Sequence, residues 1–121
     1  MKKHSLEETA LELVTAGKGI LAADETGSTI GKRFEALQIP STAETRRSYR
    51  EMLFTTPGLS AFVSGVIMYD ETIRQADSTG EALPAALTRA GIVPGIKVDT
   101  GAKPLAACPG ETVTEGLDGL R

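Results

Sequence analysis

Three apolar runs without polar alternation set the strongest limit on how this chain folds: Ile20–Asp24, Phe62–Asp70 and Val93–Asp99. A strand with one wet face alternates apolar and polar residues, whereas an unbroken run suits a strand buried on both faces. The sequence between the runs carries helix signals and is long enough for the crossovers that parallel strands need. Ser5-Leu6-Glu7-Glu8 has the form of a capping box, with Leu6, Ala10, Leu13 and Val14 at helical spacing behind it and Gly17 and Gly19 as the stop. A second helix is expected from Ile30 to Leu37, ending before Pro40. Ser41-Thr42-Ala43-Glu44 is another capping box, opening a helix through Thr45–Leu53. Thr56-Pro57-Gly58 is punctuation, with Thr26-Gly27-Ser28 read as loop. Pro84 and Gly91 bracket a further helix in the order that helices prefer. Thr112-Val113-Thr114-Glu115 has the form of a third capping box, with Leu117 and Leu120 at helical spacing behind it.

The pattern is β-α-β-α-β, an α/β architecture: either an open doubly wound sheet or part of a (β/α)8 barrel. A closed barrel takes roughly 250 residues, and this chain has 121. Residues 1–121 therefore read as a partial barrel domain, cut short after the third strand and partway into a helix. A small α/β module that binds a phosphate ligand, complete at this length, is the alternative.

Composition removes several kinds of chemistry. A single His, at position 4, and a single Cys cannot supply a Ser-His-Asp or Cys-His arrangement in a core, an internal disulfide or a His/Cys zinc site. The net charge of −3 and pI near 5.2 argue against a nucleic-acid binder with a broad basic surface. No apolar stretch approaches the ~18–20 residues of a membrane-spanning helix. Met1-Lys2-Lys3-His4 resembles the start of a signal peptide, but Glu7, Glu8 and Glu12 interrupt the apolar segment that a signal peptide would need next, so a cytoplasmic location is expected.

Each strand run ends in a carboxylate: Asp24 with Glu25 behind it, Asp70 with Glu71, and Asp99. In parallel α/β folds the C-terminal strand ends form the functional face. Glu25 and Glu71 fit equally an acid favoured at the next helix start by its dipole, whereas Asp24 is placed at the strand tip by the small apolar run before it. Lys97 interrupts an otherwise apolar strand, and alternation puts it on the same face as Asp99. Such a lysine needs an acid or a ligand anion; the acid would be Asp99 or Asp24. Thr26–Arg33 suits a phosphate ester, with hydroxyls at a helix start and a basic residue one turn on. It is not a P-loop, because the spacing is one residue short and Arg33 stands where a Ser or Thr should hold magnesium. Asp99-Thr100-Gly101-Ala102 matches an aspartic-protease tetrapeptide, but the capped helices before it argue against half of such an enzyme. Arg46, Arg47 and Arg50 share a charged helix and are expected to be largely solvated. Cys108 reads as a loop residue.

Gly17-Lys18-Gly19-Ile20-Leu21-Ala22-Ala23-Asp24-Glu25 resembles the N-terminal part of a class I fructose-bisphosphate aldolase. Further segments occur in that family's order: Gly31-Lys32-Arg33, Arg46–Arg50, Ser64–Ile67, Val93–Asp99 and Gly110–Leu120. The resemblance spans the chain from about Leu11 onward and implies a TIM barrel. It implies reversible cleavage of fructose 1,6-bisphosphate to glycerone phosphate and glyceraldehyde 3-phosphate, in glycolysis and gluconeogenesis. It also implies a lysine Schiff base as electron sink, with no metal or other cofactor, and a homotetramer. By position it implies that Asp24 and Lys97 are active-site residues. Thr29 would sit near a substrate phosphate, Arg33 on the phosphate side, and Arg46 at a substrate-binding position. The Schiff-base lysine, the catalytic glutamate and further phosphate contacts would lie beyond residue 121.

Overall fold

A computed structural model of the chain describes residues 4–119. Met1, Lys2, Lys3, Leu120 and Arg121 lie outside the described residues, so the signal-like start is only partly covered and the helical spacing read at Leu120 falls outside them. Helix α1 (Leu6–Leu13) leads into strand β1 (Gly19–Ala23), helix α2 (Gly27–Ala36) and helix α3 (Ala43–Phe54). A 3-10 turn (Leu59–Ala61) precedes strand β2 (Val63–Met68), the one-turn helix α4 (Asp70–Ile73) and helix α5 (Leu83–Arg89). Strands β3 (Val93–Ile96), β4 (Gly101–Pro104) and β5 (Thr112–Glu115) complete the order.

Local chemistry accounts for most boundaries. The Ser5 hydroxyl accepts the Glu8 N–H at 3.1 Å while Glu8 accepts the Ser5 N–H at 2.7 Å, closing the expected capping box. The box at α3 sits one residue later than expected, on Thr42 and Thr45 rather than Ser41 and Glu44. Helix α2 starts earlier, because Thr26 is its N-cap and Gly27 and Ser28 belong to its first turn. Pro84 lies in the first turn of α5, and Gly91, at φ 76°, closes it. There the Ile92 N–H reaches the Leu87 carbonyl and the Gly91 N–H reaches Thr88, the paired bonds of a Schellman end. That turn delivers Ile92 directly into the core ahead of β3.

Strands β1, β2 and β3 form one parallel sheet in that order. Leu21 pairs with Val66 and Ala23 with Met68, so these four share a face. Against it pack Phe54 of α3, Leu83 and Leu87 of α5, and Ile92. The opposite face carries Ile20, Ala22, Ile67 and Gly95. Helix α1 approaches it, with Leu13 lying over Gly65, and the end of α1 is tied down where Ser64 donates to the Leu13 carbonyl at 2.7 Å. Within residues 4–119, β1 is therefore covered on one face. Ile20 is 50% exposed, because the helical layer covers only the other side of the sheet.

The third capping box is also corrected. Thr112–Glu115 is β5, antiparallel to β4 with Gly101 opposite Glu115 and Pro104 opposite Thr112. The β-branched Thr112-Val113-Thr114 favours an extended chain, and a strand partner overrides a signal that consists of only two side chains. The runs from Phe62 and Val93 likewise contribute shorter strands, with Asp70 and Glu71 in the first turn of α4.

Candidate active site at the strand ends

Ala22, Ile67 and Gly95 lie side by side across the sheet. Two residues further along the outer strands are Asp24 and Lys97, on that same face, and the Lys97 N–H continues the ladder to the Met68 carbonyl at 2.8 Å. The side chains meet: Lys97 Nζ is 3.3 Å from Asp24 Oδ2 and 2.5 Å from Asp99 Oδ1. The interrupted strand thus places its lysine between both acids that the sequence offered. The Asp99 hydrogen bond, against the opposing effect of desolvation and with help from Asp24, raises the Lys97 pKa above the ordinary lysine value. Lys97 in turn holds Asp99 below the usual carboxylate range. Lys97 is therefore a fixed cation at neutral pH, suited to hydrogen-bond hydroxyls or phosphate oxygens and unsuited to attack a carbonyl as a free amine.

A second cluster lies directly behind Asp24. Arg50, only 2% exposed, donates to Glu25 Oε2 at 2.7 Å and to the Glu25 carbonyl at 3.0 Å. Arg33 of α2 pairs with Glu25 Oε1. Burial raises the Glu25 pKa, but the main-chain hydrogen bond, Arg50 and Arg33 together outweigh it and leave the carboxyl below its ordinary value. The expectation that Arg50 is solvated is corrected. It lies one turn before the buried Phe54, on the face that α3 packs inward, and that spacing was the available signal.

The phosphate-side candidates occupy different settings. Thr29 lies in the first turn of α2, its hydroxyl 3.1 Å from the capping Thr26 hydroxyl. Arg33 is one turn on, its side chain 56% exposed and tied to Glu25. Arg46 forms a two-point bond to Glu71, 2.8 Å from each oxygen, and its remaining nitrogen donates to Ser41. The structure therefore joins Asp24 to Lys97 and Arg33 to Glu25, whereas Arg46 is engaged with Glu71. Sequence reasoning offered Asp99 only as a counter-charge for Lys97 and set Arg50 aside as solvated, although both touch the residues at the β1 and β3 ends. Cys108 lies in the turn between β4 and β5.

A parallel sheet with its main helical layer on one face, α1 on the other and charged side chains gathered at its C-terminal strand ends has the α/β architecture in which ligand sites form at those ends. The chain belongs to the class I fructose-bisphosphate aldolase family, whose profile, "Fructose-bisphosphate aldolase class-I", matches residues 5–121. A Xylella fastidiosa protein named "Probable fructose-bisphosphate aldolase class 1" is 56% identical over all of this chain and 36% of its own length. "Fructose-bisphosphate aldolase 4, cytosolic" of Arabidopsis thaliana is 46% identical over 99% of this chain and 30% of its own length. A solved Plasmodium falciparum fructose-bisphosphate aldolase, in complex with TRAP and a small-molecule inhibitor, superposes with TM-score 0.84 at 48% identity, over 92% of this chain and 32% of that one. The chain spans about a third of the length of the relatives it matches. Its three parallel strands and their helices are part of a TIM barrel. Family membership sets aside the aspartic-protease reading, and Asp99 is paired with Lys97 just beyond the end of β3.

Proposed function

We propose that the protein to which these residues belong is a Schiff-base aldolase, cleaving fructose 1,6-bisphosphate to glycerone phosphate and glyceraldehyde 3-phosphate in the cytoplasm. Residues 1–121 supply one side of its active-site cleft. The observation that carries the reading is the meeting of Asp24 and Lys97, 73 residues apart in sequence, at the ends of β1 and β3. Carbon–carbon cleavage between the ketose carbons needs a sink for the electron pair left on the carbon next to the carbonyl. On this reading a lysine beyond residue 121 forms an iminium with that carbonyl and takes the pair up. Asp24 accepts hydrogen bonds from the substrate's hydroxyls, and Lys97 donates to hydroxyl or phosphate oxygens. Thr29 and Arg33 present a hydroxyl and a guanidinium toward one phosphate. Arg46 joins the substrate only by giving up part of its bond to Glu71. The sugar bisphosphate is the proposed small-molecule partner, and a homotetramer is the proposed assembly.

The test is borohydride trapping in the full-length protein. Incubation with fructose 1,6-bisphosphate and reductant is expected to add one reduced ligand per chain, mapped to a lysine outside residues 1–121. Absence of both cleavage and adduct would defeat the proposal, and an adduct on Lys97 would defeat the role given to it.

A further inference from the structure

We propose that Asp99 is a positioning residue for Lys97, holding its ammonium at the rim of the site so that it meets ligand in one orientation. The inference rests on the aldolase reading for its effect on turnover, and on geometry alone for its effect on Lys97. A lysine on a half-exposed rim has a four-carbon stem with many rotamers, and an ammonium that wanders contributes little to a fixed ligand. Two carboxylates restrain Lys97, and they are unequal. Asp24 accepts a hydrogen bond from Lys97 at 3.3 Å, whereas Asp99 forms a closer ion pair with it at 2.5 Å.

Asp99 is itself fixed. Its second oxygen accepts the Gly101 N–H at 3.2 Å, closing a turn at the start of β4. The next residue, Thr100, donates its N–H to the Glu115 carbonyl at 2.9 Å, tying the turn to the end of β5. Gly116, at φ 149°, then packs its backbone onto that of Val98 and Asp99 so closely that a Cβ there would lie 2.7 Å from Asp99 Cα. The antiparallel hairpin, which has no partner strand in the parallel sheet, thus acts as a brace behind the tip of β3. Glu115 and Asp118 line the same cavity as Lys97, of about 530 Å³, and neither forms an ion pair with it among the described residues. Donation from the Lys97 ammonium to Asp99 is also the largest cause of the raised Lys97 pKa.

The experiment uses the full-length protein with Asp99→Asn, Asp99→Ala, Lys97→Met and the Asp99→Asn/Lys97→Met pair. Thermal unfolding confirms that each variant folds. Pulsed acylation at a series of pH values, read by peptide mass spectrometry, reports the titration of the Lys97 amine. In both Asp99 variants that titration is expected to move to lower pH. Steady-state cleavage of fructose 1,6-bisphosphate should show kcat/KM down roughly tenfold for Asp99→Asn, with no further loss when Lys97→Met is already present. An unchanged Lys97 titration in the folded variants would overturn the inference. An equal loss from Asp99→Asn with and without Lys97 would overturn it too, by showing a general structural role. If the titration moves but the wild-type protein cleaves no sugar bisphosphate, the aldolase reading fails while the restraint of Lys97 by Asp99 stands.

Discussion

Replacing Arg50 by Met keeps the length of the side chain and removes a charge that is almost wholly buried. Two hydrogen bonds to Glu25 are lost, at 2.7 Å and 3.0 Å, together with the guanidinium placed 5.4 Å from the Tyr49 ring centre. The Glu25 carboxylate, 13% exposed, is left with Arg33 as its ion-pair partner. Breaking a buried pair costs ~3–5 kcal/mol when nothing compensates. Arg33 compensates in part, and Glu25 can also take up a proton. With its ordinary pKa of 4.5, neutralising it at pH 7 costs ~3.4 kcal/mol, which caps the electrostatic penalty. The expected loss is ~2–4 kcal/mol for Arg50→Met and ~0–1 kcal/mol for Arg33→Met, whose side chain is mostly in water. The lowered Glu25 pKa sets the sign of the pH dependence. Its stabilisation is present above the unfolded value of 4.5 and is lost as pH falls through the lower folded value. The gap between wild type and Arg50→Met should therefore be widest near neutrality and narrow below 4.5. Urea unfolding of the full-length protein at a series of pH values measures both effects. If Arg50→Met costs no more than Arg33→Met at neutral pH, Arg50 does not anchor the end of β1.

Gly116→Ala drives a methyl into the Val98–Asp99 backbone and should cost ~1–3 kcal/mol, with faster hydrogen exchange confined to the β4–β5 hairpin; exchange identical to wild type would contradict the brace. A polypeptide of residues 1–121 expressed alone leaves β1 and β3 as open sheet edges, with Ile20 50% and Ile96 42% exposed. It should associate or unfold without a sharp urea transition, and a monodisperse monomer with a two-state transition would show a self-sufficient domain instead.

The parallel core was legible because a buried strand requires what Ile20–Ala23 and Val93–Ile96 contain, and because Gly91 allows few alternatives to a helix end. A counter-charge for Lys97 was legible because a lysine in an apolar run needs one, although β3 ends at Ile96 and both Lys97 and Asp99 lie just beyond it. That Asp24 also reaches Lys97 depends on the registers β1-β2 and β2-β3, which no local pattern specifies. Thr112–Glu115 misled because a capping box and a β-branched strand can share the same four residues, and only the partner at Gly101–Pro104 decides between them. Ser41 and Thr42 are both competent caps, and the choice of Thr42 rests on Thr45 returning the bond. Arg50 was hidden by its grouping with Arg46 and Arg47: composition marked the helix face as wet, while its spacing from Phe54 placed this arginine inside.

The central claim, that Asp24 and Lys97 act together on substrate at the strand ends, is tested most directly by steady-state cleavage of fructose 1,6-bisphosphate in the full-length protein. The variants are Asp24→Asn, Lys97→Met and, as a control, Asp70→Asn, which changes only an exposed pair with Arg74. The expected kcat/KM is lower by roughly a hundredfold or more in the first two, as when charged groups that contact a reacting ligand are removed. Near-normal values are expected in the control. Turnover close to wild type in either Asp24→Asn or Lys97→Met would contradict the claim.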